Sequence, residues 1–498
     1  MDYLTQFGRD DQAPWENTTF QGPAGKPVTI KIEGYNLLTQ SEASYFLKIR
    51  TLTLKDVVLE TGVNPFIFRG TPADPTTALT LENAGIQWVR QLEGGNPTWD
   101  WASQQEFTLT ARGDNEILGF QQTVPAPTHL NVGNGATLTF IQAGSVGPVN
   151  DIPLYFSSNE NKVDVDGGTL KFQSSFVIFG TDKGLMRIHN GGRLILVGDF
   201  TVLRPQTLEV DSGEVELGAG TTLDLERDAL VLNDASIRVG QLAQLKAGGI
   251  FVNGSSTINL DINNALVDVF DFVSVAPGQT LTIDGAKGSL GFGRMRAGLL
   301  LMEPGSLIRL TGEVILSTES PEIWTWRKGA IEIAPDSTLN ILRGQINLGI
   351  PIQVDGTFNI LGTLLPETGT GLTGDGVISI YTAGTLVMPL LAGFDAWEVD
   401  PTLQFDEAST FRVLIDPTAG KVTKLIAKSN FENKGAFLEV ITFDDKVLAP
   451  GTVFTILEYP DEVPQLQALF RRPGDFFNRL QDGDEIVAGL NTYRINYN

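Results

Sequence analysis

The alternation of apolar and polar residues repeats one short unit between residues 163 and 260. In each copy a few alternating strand residues lead to an Asp or Asn with small neighbours, and a second alternating stretch follows. The turn residues recur at separations of 24, 21, 22 and 20 residues, and they are Asp166, Asn190, Asp211, Asn233 and Asn253. A period of this size, with a strand–turn–strand unit, predicts a solenoid of stacked coils.

The residues around each turn show the two-residue period of strands that bury one face. In one copy the apolar and acidic positions alternate, the apolar ones being Leu208, Val210, Val215 and Leu217 and the acidic ones Glu209, Glu214 and Glu216. Asp and Asn suit the turns because their side chains hydrogen-bond nearby backbone and tolerate left-handed dihedral angles. We therefore expect the five turn residues to form a ladder along the stack. The acids, including Glu214 and Glu216, are interpreted as a water-facing strand surface.

Changes in composition divide the chain into four predicted segments. Residues 1–28 are polar and contain three prolines, which is typical of an extended arm that anchors to a partner. We expect β-rich coils with insertions over 29–160, a regular shaft over 161–400, and a C-terminal β region with a cap over 401–498. The predicted fold is all-β, a right-handed parallel β-helix with an irregular N-terminal arm and a C-terminal cap, with short helices within 463–480.

Charge and residue content exclude several kinds of site. The 498 residues have a formal net charge of −24, so no basic surface is expected to bind nucleic acid or anionic lipid. Cys is absent and His129 and His189 are the only histidines, so neither a metal site nor a cofactor is predicted. The chain opens without an apolar signal region and has no run of about 18 apolar residues, so no secretory signal or membrane insertion is expected.

Two interruptions of the period are the predicted ligand sites. Each combines two Trp residues with acids, and together they supply Trp99, Asp100, Trp101, Glu319, Glu322, Trp324 and Trp326. Trp rings stack on sugar rings and carboxylates accept hydrogen bonds from hydroxyls, so this composition predicts carbohydrate binding. The alternative is that the rings cover the side of the solenoid or pack against a neighbouring chain. No catalytic residue is assigned, because no carboxylate pair with glycosidase geometry is identified.

The C-terminal region contains motifs that occur together in a known family. In order they are a strand at Phe411–Ile415, a connection at Asp416–Gly420, strands at Lys424–Ala427 and Gly435–Val440, a Pro-Gly segment at Pro450–Leu457, and a terminal strand at Tyr493–Tyr497. This series resembles the C-terminal part of bacterial autotransporter passenger domains. The resemblance implies a parallel β-helix and an exported passenger followed by an outer-membrane barrel. Phage tailspikes and polysaccharide lyases are similar at the level of the fold.

Three hypotheses about function follow. We expect a non-enzymatic structural or attachment protein of an exterior surface, namely a virion (phage) spike, fibre or decoration subunit. The alternatives are a secreted autotransporter-type adhesin passenger and a polysaccharide-degrading β-helix enzyme that acts through the acids near one of the Trp pairs. The expected location is the virion surface, or the extracellular space and cell surface.

The expected partners follow from the same hypotheses. The N-terminal arm would bind other virion or surface proteins, and the Trp-containing insertions would bind a cell-surface glycan. A homotrimer is expected, from analogy with viral spikes and from the apolar stretch 362–400. Nucleic acid and membrane are not expected partners.

Overall fold

The regular elements of the chain are β-strands throughout the part that the structure describes. The computed structural model describes residues 15–24, 28–32, 47–61, 66–68, 77–88, 107–118, 122–124, 128–141, 154–156, 161–173, 177–179, 184–198, 207–225, 228–261, 264–285, 293–316, 323–342, 344–368, 370–444, 446–460 and 469–496. No helix occurs among these residues, and the strands stack in parallel as about 12 turns of a β-solenoid of the right-handed type. The predicted all-β, parallel β-helix fold is confirmed.

The chain divides into two compact units, Met1–Gly248 and Gly249–Asn498. The strands that begin in unit 1 are β1 (Trp15–Gln21), β2 (Val28–Ile32), β3 (Leu47–Lys55), β4 (Val57–Thr61), β5 (Phe66–Phe68), β6 (Thr77–Glu82), β7 (Gly85–Trp88), β8 (Phe107–Arg112), β9 (Asp114–Leu118), β10 (Gln122–Val124), β11 (Thr128–Val132), β12 (Thr137–Ile141), β13 (Leu154–Phe156), β14 (Lys162–Asp166), β15 (Thr169–Gln173), β16 (Val177–Phe179), β17 (Leu185–His189), β18 (Arg193–Val197), β19 (Thr207–Asp211), β20 (Glu214–Leu217), β21 (Thr222–Asp224), β22 (Ala229–Asn233), β23 (Ser236–Val239) and β24 (Gln244–Val252).

Unit 2 continues with short strands of the same kind. They are β25 (Ser256–Leu260), β26 (Leu266–Val275), β27 (Thr280–Gly285), β28 (Gly293–Met302), β29 (Leu307–Thr311), β30 (Glu313–Leu316), β31 (Ile323–Arg327), β32 (Ala330–Ile333), β33 (Thr338–Ile341), β34 (Gln345–Gly349), β35 (Ile352–Val354), β36 (Thr357–Ile360), β37 (Thr363–Pro366), β38 (Leu372–Thr373), β39 (Val377–Ile380), β40 (Thr385–Met388), β41 (Ala396–Val399), β42 (Thr402–Phe405), β43 (Thr410–Asp416), β44 (Lys421–Val422), β45 (Lys424–Ala427), β46 (Phe431–Asn433), β47 (Phe437–Thr442), β48 (Leu457–Glu458), β49 (Glu485–Ala488) and β50 (Asn491–Arg494).

In unit 1 the equivalent strands of successive turns pair in parallel. We call each such column of strands a file, and every turn contributes one strand to each file. One turn runs through β14, β15 and β16, and these pair with β17, β18 and β13 respectively in the neighbouring turns. The alternating apolar residues point inward, and Val163, Val165, Leu170 and Phe172 are at most 3% exposed. Phe140 and Phe172 stack in adjacent turns with ring centroids 5.1 Å apart. The strand period therefore creates a continuous apolar core in this unit.

Backbone hydrogen bonds between adjacent turns hold the bend between the first two files. The residues that donate them lie one position beyond most of the predicted Asp and Asn turn residues. The left-handed residues are Gly167, Asn190, Ser212 and Asp234, which recur every 22 or 23 residues. Their N–H groups donate along the stack, from Gly167 to the carbonyl oxygen of His189 (3.0 Å) and from Asn190 to that of Asp211 (3.2 Å). Ser212 donates in the same way to Asn233 (2.7 Å). These bonds satisfy the buried backbone groups that a sharp turn would otherwise leave unpaired.

The predicted side-chain ladder is corrected by the strand register. Asp166 pairs with His189, and His189 pairs with Asp211, so Asn190 lies one position beyond the file to which it was assigned. Two side-chain bonds join adjacent turns, from the Asn190 amide to Asp166 (2.7 Å) and from the Asn233 amide to Asp211 (2.8 Å). The fifth predicted member, Asn253, lies in unit 2 in an exposed bend.

Unit 2 also has three strands per turn through most of its length. One turn runs through β35, β36 and β37, which pair in parallel with β38, β39 and β40 of the next turn. The apolar side chains of the stretch 362–400 supply this unit's own core, since Leu386 and Met388 are fully buried and Trp397 is 1% exposed. The apolar content of that stretch, which suggested a covering subunit, is therefore accounted for within unit 2.

Aromatic rings close the C-terminal end of the core of unit 2. Phe470 is 3% exposed and lies within 5.6 to 6.4 Å, between ring centroids, of Phe411, Phe405 and Phe431. Tyr459 stacks on Phe431, with ring centroids 5.4 Å apart. The described residues of the predicted helical stretch, 469–480, form turns and isolated bridges instead of helices. A plug of this kind covers the core cross-section that an open solenoid end exposes.

The motifs that resemble autotransporter passengers coincide with strands in part. The predicted strand Lys424–Ala427 is β45, and Phe411–Ile415 lies within β43. The Pro-Gly segment Pro450–Leu457 is mostly irregular, and only its last residue enters β48. The terminal motif begins inside β50, which belongs to a two-stranded antiparallel sheet with β49.

Candidate functional site

A group of six charged or ionisable side chains lies on one face of three adjacent strands in unit 1. This charged cluster consists of Asp164, Asp166, Arg187, His189, Glu209 and Asp211. The register aligns them in two rows, one through Asp164, Arg187 and Glu209 and one through Asp166, His189 and Asp211. The central strand β17 therefore presents its two bases between acids of the turns on either side.

The distances within the charged cluster define a fixed arrangement around His189. Its Nε2 lies 2.8 Å from Asp164 Oδ1, and its Nδ1 lies 3.0 Å from the Asn190 side-chain amide nitrogen. These partners assign the tautomer that donates from Nε2 and accepts at Nδ1. Arg187 approaches Glu209 and Asp211 more loosely, at 3.7 and 3.8 Å.

This geometry favours a stacking role for the charged cluster. Both ring nitrogens of His189 are engaged by neighbouring side chains, and the histidine side chain is only 14% exposed. A general base needs a free lone pair within reach of the proton that it abstracts, and His189 offers none in this state.

The described residues hold no group of three or more His, Cys, Asp or Glu side chains that is placed to bind a metal ion. Nor does the described part contain a helix long and apolar enough to cross a membrane.

The neighbouring acids Glu214 and Glu216 also serve the stack. Arg193 of the adjacent turn donates from Nε to Glu214 (2.8 Å) and from a terminal nitrogen to Glu216 (3.3 Å). The two carboxylates share one guanidinium, which supports their interpretation as a strand surface.

Of the predicted carbohydrate-binding residues, Trp326 is corrected by the structure. It lies in β31 and is fully buried, between Leu300 and Leu348 of the adjacent strands in register. Its ring faces the core because the strand alternation turns it inward, so it presents no surface on which a sugar can stack. Trp324 lies in the same strand, and the structure describes its backbone only. The other predicted members, Trp99, Asp100, Trp101, Glu319 and Glu322, also lie outside the described residues.

Sequence reasoning missed an exposed apolar surface near the C-terminus. We define the terminal apolar face as Phe443, Val447, Val453, Val487 and Leu490, which are 63 to 85% exposed. A signal was present in the segment Val487–Leu490, because Leu490 lies in the tight turn of a hairpin, where polar residues are usual.

The hairpin β49–β50 organises the terminal apolar face. The Asn491 side chain accepts from the N–H of Leu448 (2.8 Å) and donates to the carbonyl of Lys446 (2.8 Å), which fixes the segment that carries Val447. The ring of Tyr493 lies 6.5 Å from that of Phe454, the neighbour of Val453. Burial and the nearby Asp444 carboxylate both raise the pKa of the Tyr493 hydroxyl. The hairpin therefore contacts the segment that carries Val447 and the ring next to Val453.

The chain was compared with family models, curated proteins and solved structures, and none of the three comparisons returned a match.

Proposed function

We propose that this chain is a non-enzymatic structural and attachment protein of an exterior surface, most simply a spike, fibre or decoration subunit of a virion. The observation that supports this proposal is the use of charge on the outer strand faces. Cations there pair with acids of the adjacent turn, as in Arg193–Glu214 (2.8 Å), Arg309–Glu332 (3.0 Å) and Arg412–Glu439 (2.7 Å). Charges used in this way stabilise stacking along the strand files.

The energetic weight of each pair is small, and their repetition is what supports a structural role. An exposed ion pair contributes on the order of 0 to 1 kcal/mol, so no single pair holds the fold. The pairs recur in both units, for example Lys55–Glu82 in unit 1 and Lys434–Asp406 in unit 2. A periodic outer surface with an acidic net charge of −24 suits a soluble exterior element. Residues 15–21 of the predicted arm form β1, which pairs in parallel with β3. Under this proposal the part of the arm that precedes β1 binds the particle, and the insertion that carries Trp99 and Trp101 contacts a glycan.

A secreted autotransporter-type passenger is the second candidate. The observation that favours it is the placement of the predicted motif strands, since β43 and β45 coincide with two of them. The third hypothesis, a polysaccharide-degrading enzyme, depends on the acids near one of the two Trp pairs, either Asp100 or Glu319 and Glu322.

Localisation in the native source tests the proposed function. Antibodies raised against the purified chain should label the outside of virions in immunogold electron microscopy. Labelling of cell envelopes with no labelling of virions would favour the passenger instead, and labelling confined to the cell interior would contradict both.

A polysaccharide assay separates attachment from catalysis. The chain should bind a surface polysaccharide of its host without shortening it. Release of oligosaccharides that is abolished by Glu322→Gln would overturn the non-enzymatic proposal, and the matched control is Glu303→Gln at an exposed turn.

A further inference from the structure

Three Asn-Gly pairs occur in the sequence, and they are Asn134-Gly135, Asn190-Gly191 and Asn253-Gly254. In this dipeptide the backbone nitrogen of the second residue can attack the side-chain amide of the first, because glycine has no Cβ to shield its nitrogen or restrict its dihedral angles. Each pair lies in a turn or bend between two strands, and all three asparagines are exposed. The sequence therefore offers three similar candidates for spontaneous deamidation, and their hydrogen bonds distinguish them.

The pair at Asn190 is held at both reacting groups. Its side-chain nitrogen donates to Asp166 Oδ1 (2.7 Å) and lies 3.0 Å from His189 Nδ1. The N–H of Gly191 donates to the carbonyl oxygen of Ser212 in the adjacent turn (2.7 Å). Attack requires the side-chain amide to turn towards the glycine nitrogen and this nitrogen to lose its proton, so these bonds must break first. The folded state should therefore protect this pair.

The pair at Asn134 is held at its backbone nitrogen. The N–H of Gly135 donates to the carbonyl oxygen of Gly167 in the adjacent turn (3.1 Å). This bond keeps the proton on the nitrogen that would attack, although the Asn134 side chain is exposed. Its protection should therefore be intermediate.

The pair at Asn253 has neither restraint. Within the part of the chain that the structure describes, neither the Asn253 side chain nor the N–H of Gly254 has a hydrogen-bond partner. The Ser256 hydroxyl donates to the carbonyl oxygen of Gly254 (2.8 Å), but this oxygen takes no part in the attack. Gly254 has little exposed surface of its own, yet it lies between the exposed Asn253 and Ser255, so water reaches the bend.

We infer that Asn253 is the site at which the folded chain deamidates spontaneously. The nitrogen of Gly254 forms a bond with Cγ of Asn253, and the bond from Cγ to the side-chain nitrogen breaks. That nitrogen leaves as ammonia together with the proton of the Gly254 N–H. The resulting succinimide takes up one water molecule, and opening at either of its carbonyls gives aspartate or isoaspartate.

Both products place a carboxylate where the exposed amide stood, in the bend between β24 and β25. Isoaspartate also lengthens the main chain by one carbon at this bend. The inference concerns the chemistry of the chain alone and does not depend on attachment to a virion or a glycan.

Peptide mapping by mass spectrometry tests this inference on the full wild-type chain stored folded in mildly alkaline buffer. The deamidated peptide is heavier because OH replaces NH2, and its aspartate and isoaspartate forms separate by chromatography. Product should accumulate at Asn253 about tenfold or more faster than at Asn190, whose reacting groups are held by hydrogen bonds. In the chain unfolded by urea the three pairs should react at similar rates, because none keeps its native partners.

Isoelectric focusing gives a second readout on the intact chain. Storage should convert the wild type to a more acidic band, and Asn253→Gln should remove most of that conversion, since glutamine would have to close a less favourable six-membered ring. The matched control Asn134→Gln replaces another exposed asparagine that precedes glycine and should retain the acidic band.

Two results would overturn the inference. Equal rates at the three pairs in the folded chain would show that their hydrogen bonds do not govern the reaction. An Asn253 that folding slows as much as it slows Asn190, relative to the unfolded chain, would show that the bend does not permit the attack.

Discussion

At the scale of single residues, buried polar side chains hold adjacent turns together. Asn115 in β9 is 4% exposed, and its Nδ2 lies within hydrogen-bonding distance of the carbonyl oxygens of Arg112 (3.0 Å) and Gly113 (2.9 Å). Its Oδ1 accepts from the N–H of Ala84 in the preceding turn (3.0 Å). One side chain thus satisfies backbone groups on two turns, which a backbone ladder alone leaves unpaired.

Replacing this side chain should destabilise unit 1 strongly. Asn115→Ala should lower the free energy of unfolding by about 2 to 4 kcal/mol, because buried backbone groups lose their partners. Its neighbour Glu116 is exposed, so Glu116→Ala should change the free energy by no more than about 0.5 kcal/mol. Urea unfolding of both variants measures the difference, and equal midpoints would contradict this role of Asn115.

The tyrosine at the C-terminal plug should make this end sensitive to alkali. Burial raises the pKa of the Tyr459 hydroxyl above its ordinary 10.0, so the folded state retains this proton more tightly than the unfolded state. The corresponding stability is present below pH 10 and is lost as the pH rises through the folded value. Tyr459→Phe preserves the ring stacked on Phe431 and should reduce the loss above pH 10. Unfolding temperatures of the wild type and of Tyr459→Phe, measured across that pH range, test this prediction. An equal fall of the two unfolding temperatures above pH 10 would contradict it.

At the scale of elements, the turns need glycine for two separate reasons. A Cβ at Gly192 would lie 2.4 Å from the carbonyl oxygen of Val165 in the adjacent turn. Gly191 instead has φ 78°, and a Cβ added there would meet no other atom within 4 Å. The first glycine is required by close approach of two backbones and the second by its dihedral angle.

This difference predicts unequal costs for two adjacent substitutions. Gly191→Ala should cost about 1 to 2 kcal/mol, the strain of a left-handed alanine. Gly192→Ala should cost more, about 3 kcal/mol or above, because the backbone of the adjacent turn must shift. Unfolding midpoints of the two variants give the comparison, and a larger effect at Gly191 would contradict the assignment.

The aromatic plug is the element on which the C-terminal end of unit 2 depends. Phe470→Ala should destabilise this unit by about 3 to 5 kcal/mol, since the ring packs against Phe405, Phe411 and Phe431. Phe477→Ala removes a ring that is 91% exposed and should alter stability by no more than about 0.5 kcal/mol. Urea unfolding midpoints and the turbidity of stored solutions should differ between the two variants. Similar behaviour of the two variants would show that the plug is dispensable.

The sequence pattern predicted which residues face the core. It did not predict which residues of adjacent turns lie opposite one another. Alternation around Asp211 predicted both the strands and the inward set Leu208, Val210 and Val215, because burial of one face is a local property. The side-chain bonds join Asp166 to Asn190 and Asp211 to Asn233, but Asn190 lies one position out of register with the other turn residues. The spacing did not reveal this offset, because a shift of one residue leaves the separation almost unchanged.

Side-chain roles at the candidate sites were harder to predict for the same reason. Trp326 was assigned to a ligand surface from its composition, whereas its place in the strand alternation turns it into the core. The terminal apolar face depends on how a hairpin docks beside residues 446–448, which are distant from it in sequence. Contacts of that kind leave no period in the chain.

At the scale of the whole molecule, one arrangement repeats in both units: parallel strands stack in register, with apolar residues inside and paired charges outside. The absence of Cys from all 498 residues gives direct access to this arrangement, since any introduced thiols are the only ones present. Thr139 and Lys171 are register partners on the outer face of β12 and β15. Neighbouring strands are about 4.8 Å apart, which lies within the distance that a disulfide spans.

Disulfide formation in a pair of double-cysteine variants therefore tests the central claim. Under mild oxidation Thr139→Cys/Lys171→Cys should form an intramolecular disulfide, detected as loss of free thiols and a mobility shift without reducing agent. Thr139→Cys/Gln173→Cys is the matched control, because Gln173 pairs with Ile141 and lies two residues out of register. Its Cα is about 8 Å away, beyond the reach of a disulfide. Rapid crosslinking of the first variant alone is the predicted result; no crosslink there, or equal crosslinking in the control, would contradict parallel in-register stacking.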